Sequence, residues 1–272
     1  MPVPGDANPL AIAARQLLAE STMRTEGSRL RSLALLLLLV GRPAGAVDVT
    51  DVLARMRRAA EPGRDMRAAV ELVITNPQGE RVRWTGQFYR LTGPPARRRL
   101  VLETPIDLRG VSITMQHTET GVERTRVYLP FLRRVREITA DMRGESFLGT
   151  DFNYEDLGLE ELEYEQHALR GEEKADGRAC YRVESVPAHS WWYGRIIRCV
   201  DEKDYLPRRT EYYDPAGLLY KIRTLDRIET IAGHPTPTQI TMAVVPAHTS
   251  TRFSLREVEY DTGLTEQLFE GS

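Results

Sequence analysis

The chain has 272 residues, with 37 Lys and Arg against 39 Asp and Glu, for a formal net charge of -2. A pI near 6.3 excludes a strongly basic nucleic-acid binder, and a mean hydropathy of -0.39 excludes a polytopic membrane protein. Two cysteines exclude a disulfide-dense scaffold and a zinc site built of thiolates alone, which leaves a globular chain with enough length for a large core.

The first recognisable element is an address. Residues 33–40 form a short run of Ala, Leu and Val, preceded by Arg24, Arg29 and Arg31 and followed by Ala44-Gly45-Ala46. At ~1.5 Å rise per residue this run is far too short for a hydrocarbon core of roughly 30 Å, and the layout is that of a secretory signal peptide. Met23 is the expected start, with residues 1–22 an upstream extension, 23–46 the leader and 47–272 a single domain. Cleavage after Ala46 leaves 226 of the 272 residues and removes five Arg and three acidic residues, which takes the net charge from -2 to -4. No cysteine lies at the cleavage site, so the expected product is not lipidated there and is soluble in an extracytoplasmic, oxidising space.

Residues 48–61 carry Val49, Val52, Leu53 and Met56 at helical spacing, with Asp48 or Thr50 to cap the start and Pro62-Gly63 to stop it. From there the rhythm has period two. Trp84, Gly86 and Phe88 alternate with Thr85, Gln87 and Tyr89, and similar runs recur to residues 250–260. About eleven strands are expected, in an antiparallel meander, since no long helices alternate with them. Cys180 and Cys199 lie in two such runs on either side of a turn at 187–193. Pairing centred on that turn would set them opposite each other for a disulfide worth ~3 kcal/mol; two buried free thiols are the alternative.

Residues 146–164 break the alternation. Phe147, Leu148, Phe152, Tyr154 and Leu157 crowd this segment, where Asn153 can cap a short helix with Glu155 and Asp156 in its first turn. Such a segment either plugs the end of a core or covers a cavity.

Two motifs here carry a resemblance. The run Tyr128-Leu129-Pro130-Phe131-Leu132-Arg133-Arg134-Val135-Arg136 is followed by Ser146-Phe147-Leu148-Gly149-Thr150-Asp151-Phe152-Asn153-Tyr154-Glu155-Asp156-Leu157. The sequence resembles the LolA-like outer-membrane lipoprotein-sorting family, in the branch with YLPxLRRVR and SFxG[ST]DFxYEDL stretches; Asp204-Tyr205-Leu206-Pro207 and Lys221 also fit. The resemblance implies a curved antiparallel half-barrel with a short helical lid. It also implies a periplasmic carrier that holds lipoprotein acyl chains or other lipid, and a partner among inner-membrane exporters of the RND type.

The candidate cavity residues are Trp84, Phe88, Val111, Ile113, Met115, Val127, Leu129, Ile240 and Met242, each of which could equally be ordinary core. Phe147, Leu148 and Phe152 are the lid candidates. Arg133, Arg134 and Arg136 are candidates for docking to lipid headgroups or an acidic partner, or else solvated positions that blunt a sheet edge. Arg97-Arg98-Arg99 can be read either way, and Trp191-Trp192-Tyr193 suits a membrane interface, a partner or the sheet end.

Motifs for nucleophilic, metal or nucleotide chemistry are absent from the sequence, and the five histidines are scattered. With what the resemblance implies, the expected protein is a monomeric carrier, not an enzyme, without metal or cofactor. A sensor or adaptor that binds another envelope protein is the alternative.

Overall fold

Helix α1 (Val49–Ala60) opens the structure, a computed structural model that describes residues 47–117, 123–157, 164–175, 177–187 and 192–270. The expected leader, its upstream extension, Trp191 and the acidic run at 160–163 lie outside the described residues. The Asp48 carboxylate accepts from the Thr50 amide at 3.1 Å and caps the helix. Val52, Leu53 and Met56 form its buried stripe and meet Val183 and Val200 on the sheet. No helix among the described residues is long and apolar enough to cross a membrane.

Thirteen antiparallel strands follow: β1 (Asp65–Thr75), β2 (Arg81–Leu91), β3 (Arg97–Thr104), β4 (Ser112–His117), β5 (Glu123–Leu129), β6 (Arg134–Ile138), β7 (Tyr164–Ala175), β8 (Arg178–Pro187), β9 (Arg195–Asp201), β10 (Pro207–Tyr213), β11 (Leu219–Ile231), β12 (His234–Val244) and β13 (Thr249–Tyr260). They make one open sheet in the order β6-β5-β4-β3-β2-β1-β13-β12-β11-β10-β9-β8-β7. The described residues thus hold thirteen strands where about eleven were expected. β12 also begins earlier than expected, at His234, where Pro235 and Pro237 argue against a strand by composition.

Register fixes which side chains share a face. Ala68 stands opposite Phe88, Phe88 opposite Leu100, Leu100 opposite Ile113 and Ile113 opposite Val127. On the other side of the sheet centre, Leu72 stands opposite Phe253, and Phe253 opposite Ile240. These residues line the inner face, and a shift of one position in any strand would turn its apolar set outward.

Because β1 pairs with β13, the sheet edges are β6 and β7, and the connection between them must travel from one edge to the other. Its described part, residues 139–157, crosses the inner face as a strap. Its helical parts are short, a 3-10 turn (Ala140–Met142) and α2 (Tyr154–Leu157), joined by irregular chain.

On the outer face the chain end is tied down. The Asp65 carboxylate accepts the Thr262 amide and hydroxyl, both at 2.8 Å, and the amides of Gly263 and Leu264. Arg97 pairs with Glu266 at 3.0 Å, while Arg99 and Arg126 donate to the carbonyls of Leu268 and Phe269 in α3 (Gln267–Glu270). The outward members of the triple-arginine run thus hold the chain end.

Burial pushes the Asp65 carboxyl up, but the donors from Thr262, Gly263 and Leu264 outweigh it and hold the group below the ordinary aspartate range. The Asp201 carboxyl is depressed in the same way, against burial, by the Lys203 amide, Arg178, the Asp204 amide and Arg208. Both contributions are fully present above the unfolded-state pKa of about 3.9 and disappear as pH falls through the folded values. Denaturant midpoints should therefore drop steeply below about pH 4, and Asp65→Asn should flatten that slope.

Cys180 and Cys199 form a disulfide with Cα atoms 5.4 Å apart. The expected directly opposed register is not what joins them: Cys180 faces Asp201 and Cys199 faces Arg182, so the bridge is diagonal. The β8–β9 register is thus offset by two residues from the expected one. Closing a loop of 19 residues' separation restricts the unfolded chain, so reduction should lower unfolding stability by about 3 kcal/mol. Thermal melts with and without a thiol reductant measure it. The Glu173 carboxylate lies within 4.8 Å of both sulfurs, but a disulfide has no thiolate to offer a metal.

Candidate lipid-binding site

The strap is a self-supporting loop. Ser146 donates to the Thr150 carbonyl, Thr150 donates to the carbonyls of Phe147 at 2.8 Å and Phe152 at 3.2 Å, and Ser146 bridges Asn153. The turn requires positive φ at Leu148 (51°) and Gly149 (82°), a conformation that costs little at glycine. Asn153 and Asp156 cap each other, each side chain accepting the other's amide at 2.9 Å.

Polar anchors fasten the loop to the sheet. Asp151 accepts from the hydroxyls of Thr249 and Thr251 on β13, and its amide donates to Thr251 at 3.0 Å. Asp156 pairs with Lys221 of β11 at 2.9 Å, with side chains only 1% and 4% exposed. Tyr193 donates to Asp156 at 2.9 Å and accepts from the Asn153 amide group at 3.0 Å. Burial, and then the charge of Asp156, raise the Tyr193 phenol well above its ordinary pKa, so it stays a donor. The motif residues between Ser146 and Leu157 are thus largely fastening.

Between these anchors the strap presents aromatic side chains to the inner face. Phe147 and Tyr154 meet edge to face, with centroids 6.0 Å apart, and pack into one cluster with Trp84, Val111, Ile113, Met115 and Val127. Leu129 and Leu148 border that cluster. Phe152 joins a second cluster with Met242 and Tyr193, which Ile240 borders. Most of the expected cavity residues are therefore covered by the expected lid residues in this conformation.

An open space remains beside the strap. A cavity of ≈ 200 Å³ lies between the C-terminal end of α1 and the middle of the sheet, with Phe88 and Ile240 of the expected residues in its wall. Phe253, Leu255 and Met56 add apolar surface, and Arg90, Arg98 and Arg223 add charge. The sequence reading missed Arg90. Its parity was legible, because Trp84, Gly86, Phe88 and Arg90 share one face, but an arginine ends an apolar pattern by composition.

The docking candidates divide. Arg136 pairs with Glu145 of the strap at 3.2 Å. Arg133 and Arg134 are exposed at the β5–β6 turn, next to Phe131 and Leu132, which are 70% and 54% exposed. In the aromatic run, Tyr193 is buried, whereas Trp192 lies against Gly144 so closely that any Cβ there would enter its ring.

An open thirteen-stranded half-barrel with a strap across its inner face is a LolA-like architecture. Residues 96–272 match the model of a family described only as "Uncharacterized protein", and the chain belongs to that family. Among solved structures, a DUF1329 family protein from Desulfovibrio piger is 26% identical, with 81% of this chain and 95% of that chain covered at a TM-score of 0.75. A domain named for outer-membrane lipoprotein sorting, from Vibrio parahaemolyticus, is 24% identical over 82% of this chain and 97% of its own, at a TM-score of 0.74. A LolA superfamily protein from Nitrosomonas europaea shares the fold at 18% identity and a TM-score of 0.66, covering 82% and 98%. No curated protein matches the sequence.

Proposed function

We propose that the protein is a periplasmic carrier that takes an acyl chain onto its inner face by displacing the strap, without chemistry of its own. One observation carries this reading: the apolar half of the face is covered by a separate segment held through a few polar anchors, beside a cavity that is already open. At ≈ 200 Å³ the cavity is smaller than the ≈ 300–1,000 Å³ typical of ligand sites, so a long chain needs the strap to move.

The energies match. Exposing large apolar side chains costs about 1.5–3 kcal/mol each, so lifting Phe147, Phe152 and Tyr154 costs roughly 5–9 kcal/mol. A sixteen-carbon chain gains on the order of 10 kcal/mol at ~0.8 kcal/mol per methylene. An exchange this close to balance lets cargo be loaded and released.

The Cys180–Cys199 disulfide supports an oxidising compartment. Phe131 and Leu132, with Arg133 and Arg134, supply an apolar tip with a basic collar where the carrier meets a membrane or its delivery partner. Mass spectrometry of organic extracts of the purified protein should find bound lipid, and a fluorescent fatty acid should titrate to saturation. Failure of both sinks the carrier reading.

A further inference from the structure

Arg90 is 5% exposed, yet among the described residues it forms no ion pair. Its Nη1 donates to the carbonyl of Ala60, the last residue of α1, at 3.2 Å and its Nη2 to the carbonyl of Pro62 just beyond it, while Nε is buried without a partner among the described residues. A guanidinium has five N–H donors, so most of its capacity is unused.

The strand register sharpens the problem. Arg90 stands directly opposite Arg98 on the inner face, and like charges so placed repel. Arg98 is paired with Glu61 at 2.9 Å, so Arg90 is offset by the more distant charges of Glu61 and Asp65 and by the Tyr260 ring, whose centroid lies 5.8 Å from its guanidinium, and by no carboxylate in hydrogen-bond contact among the described residues. Burial, then the charge of Arg98, push the Arg90 guanidinium below its ordinary pKa. A charge taken out of water costs several kcal/mol unless it is neutralised. The cavity wall holds three guanidiniums and one carboxylate, Asp156, which Lys221 already neutralises.

We propose that Arg90, beside Arg98, is the headgroup site for an anionic single-chain amphiphile. Its carboxylate or phosphate meets the Arg90 guanidinium, and its acyl chain lies along Phe88, Ile240, Phe253 and Leu255. This inference rests on the carrier reading and narrows it. The acylated cysteine of a lipoprotein is neutral at its lipid end, so a cavity that seeks an anion selects free anionic lipid.

Displacement of Nile red from the delipidated protein by hexadecanoate, hexadecyl phosphate, hexadecanol and inorganic phosphate tests it. In the wild type the two anionic amphiphiles should bind roughly tenfold or more tighter than hexadecanol, the scale of a charged hydrogen bond. Arg90→Met should bring that ratio to about one, and Arg90→Lys should restore part of it. Equal affinity of hexadecanoate and hexadecanol overturns the headgroup site and leaves the carrier intact. Inorganic phosphate competing as well as hexadecyl phosphate overturns it in favour of a free-anion site. No displacement by any chain overturns both readings. The wild-type comparison decides even if Arg90→Met does not fold.

Discussion

Lys221→Met is expected to lower the unfolding free energy by about 3–5 kcal/mol, because it strands the Asp156 carboxylate in a place water does not reach. The pair sits 2.9 Å apart, and among the described residues Asp156 keeps the hydroxyl of Tyr193 and the amide of Asn153 once the ammonium is gone. Those bonds satisfy lone pairs without neutralising the charge. The double variant Asp156→Leu/Lys221→Met should recover much of the loss, since replacing a buried pair by apolar side chains is often close to neutral. Guanidinium unfolding of the two variants and the wild type measures both. A loss below about 1 kcal/mol for the single variant would mean the carboxylate escapes to water, and with it the anchor role.

The same pair shows where sequence reasoning reaches and where it stops. Strands were legible because burial on one face writes itself into alternate residues, as in Trp84, Gly86 and Phe88. The strap was legible as a place where alternation fails, and Phe147 and Phe152 were legible as apolar side chains needing something to cover. The residues that fasten them were not. Asp156 and Lys221 are 65 positions apart, and no periodicity relates a short loop helix to a distant strand. Arg90 shows the opposite failure. Its position in the β2 alternation points inward, but a rule that assigns faces by polarity discards it. Cys180 and Cys199 were expected directly opposite each other, whereas the β8–β9 register sets them two residues off, an offset that the alternation of side chains does not record.

The strap's role makes a prediction of unusual sign at Phe147. The side chain is 1% exposed, and its truncation to alanine in a packed cluster costs about 3–5 kcal/mol. Phe147→Ala should therefore lower the stability of the empty protein by that order. Fatty-acid affinity should rise, because the ring competes with cargo for Trp84, Ile113 and Val127, and a weaker competitor leaves the open form more populated. If ~2 kcal/mol of the loss falls on strap docking, the apparent dissociation constant tightens by roughly thirtyfold. Trp84→Ala, on the sheet side of the same cluster, should lower stability and affinity together, since it removes wall from both states. Denaturant unfolding paired with a fluorescent fatty-acid titration separates the two behaviours. If Phe147→Ala weakens lipid binding as Trp84→Ala does, the ring is a fixed part of the site, and the strap is a plug that never leaves.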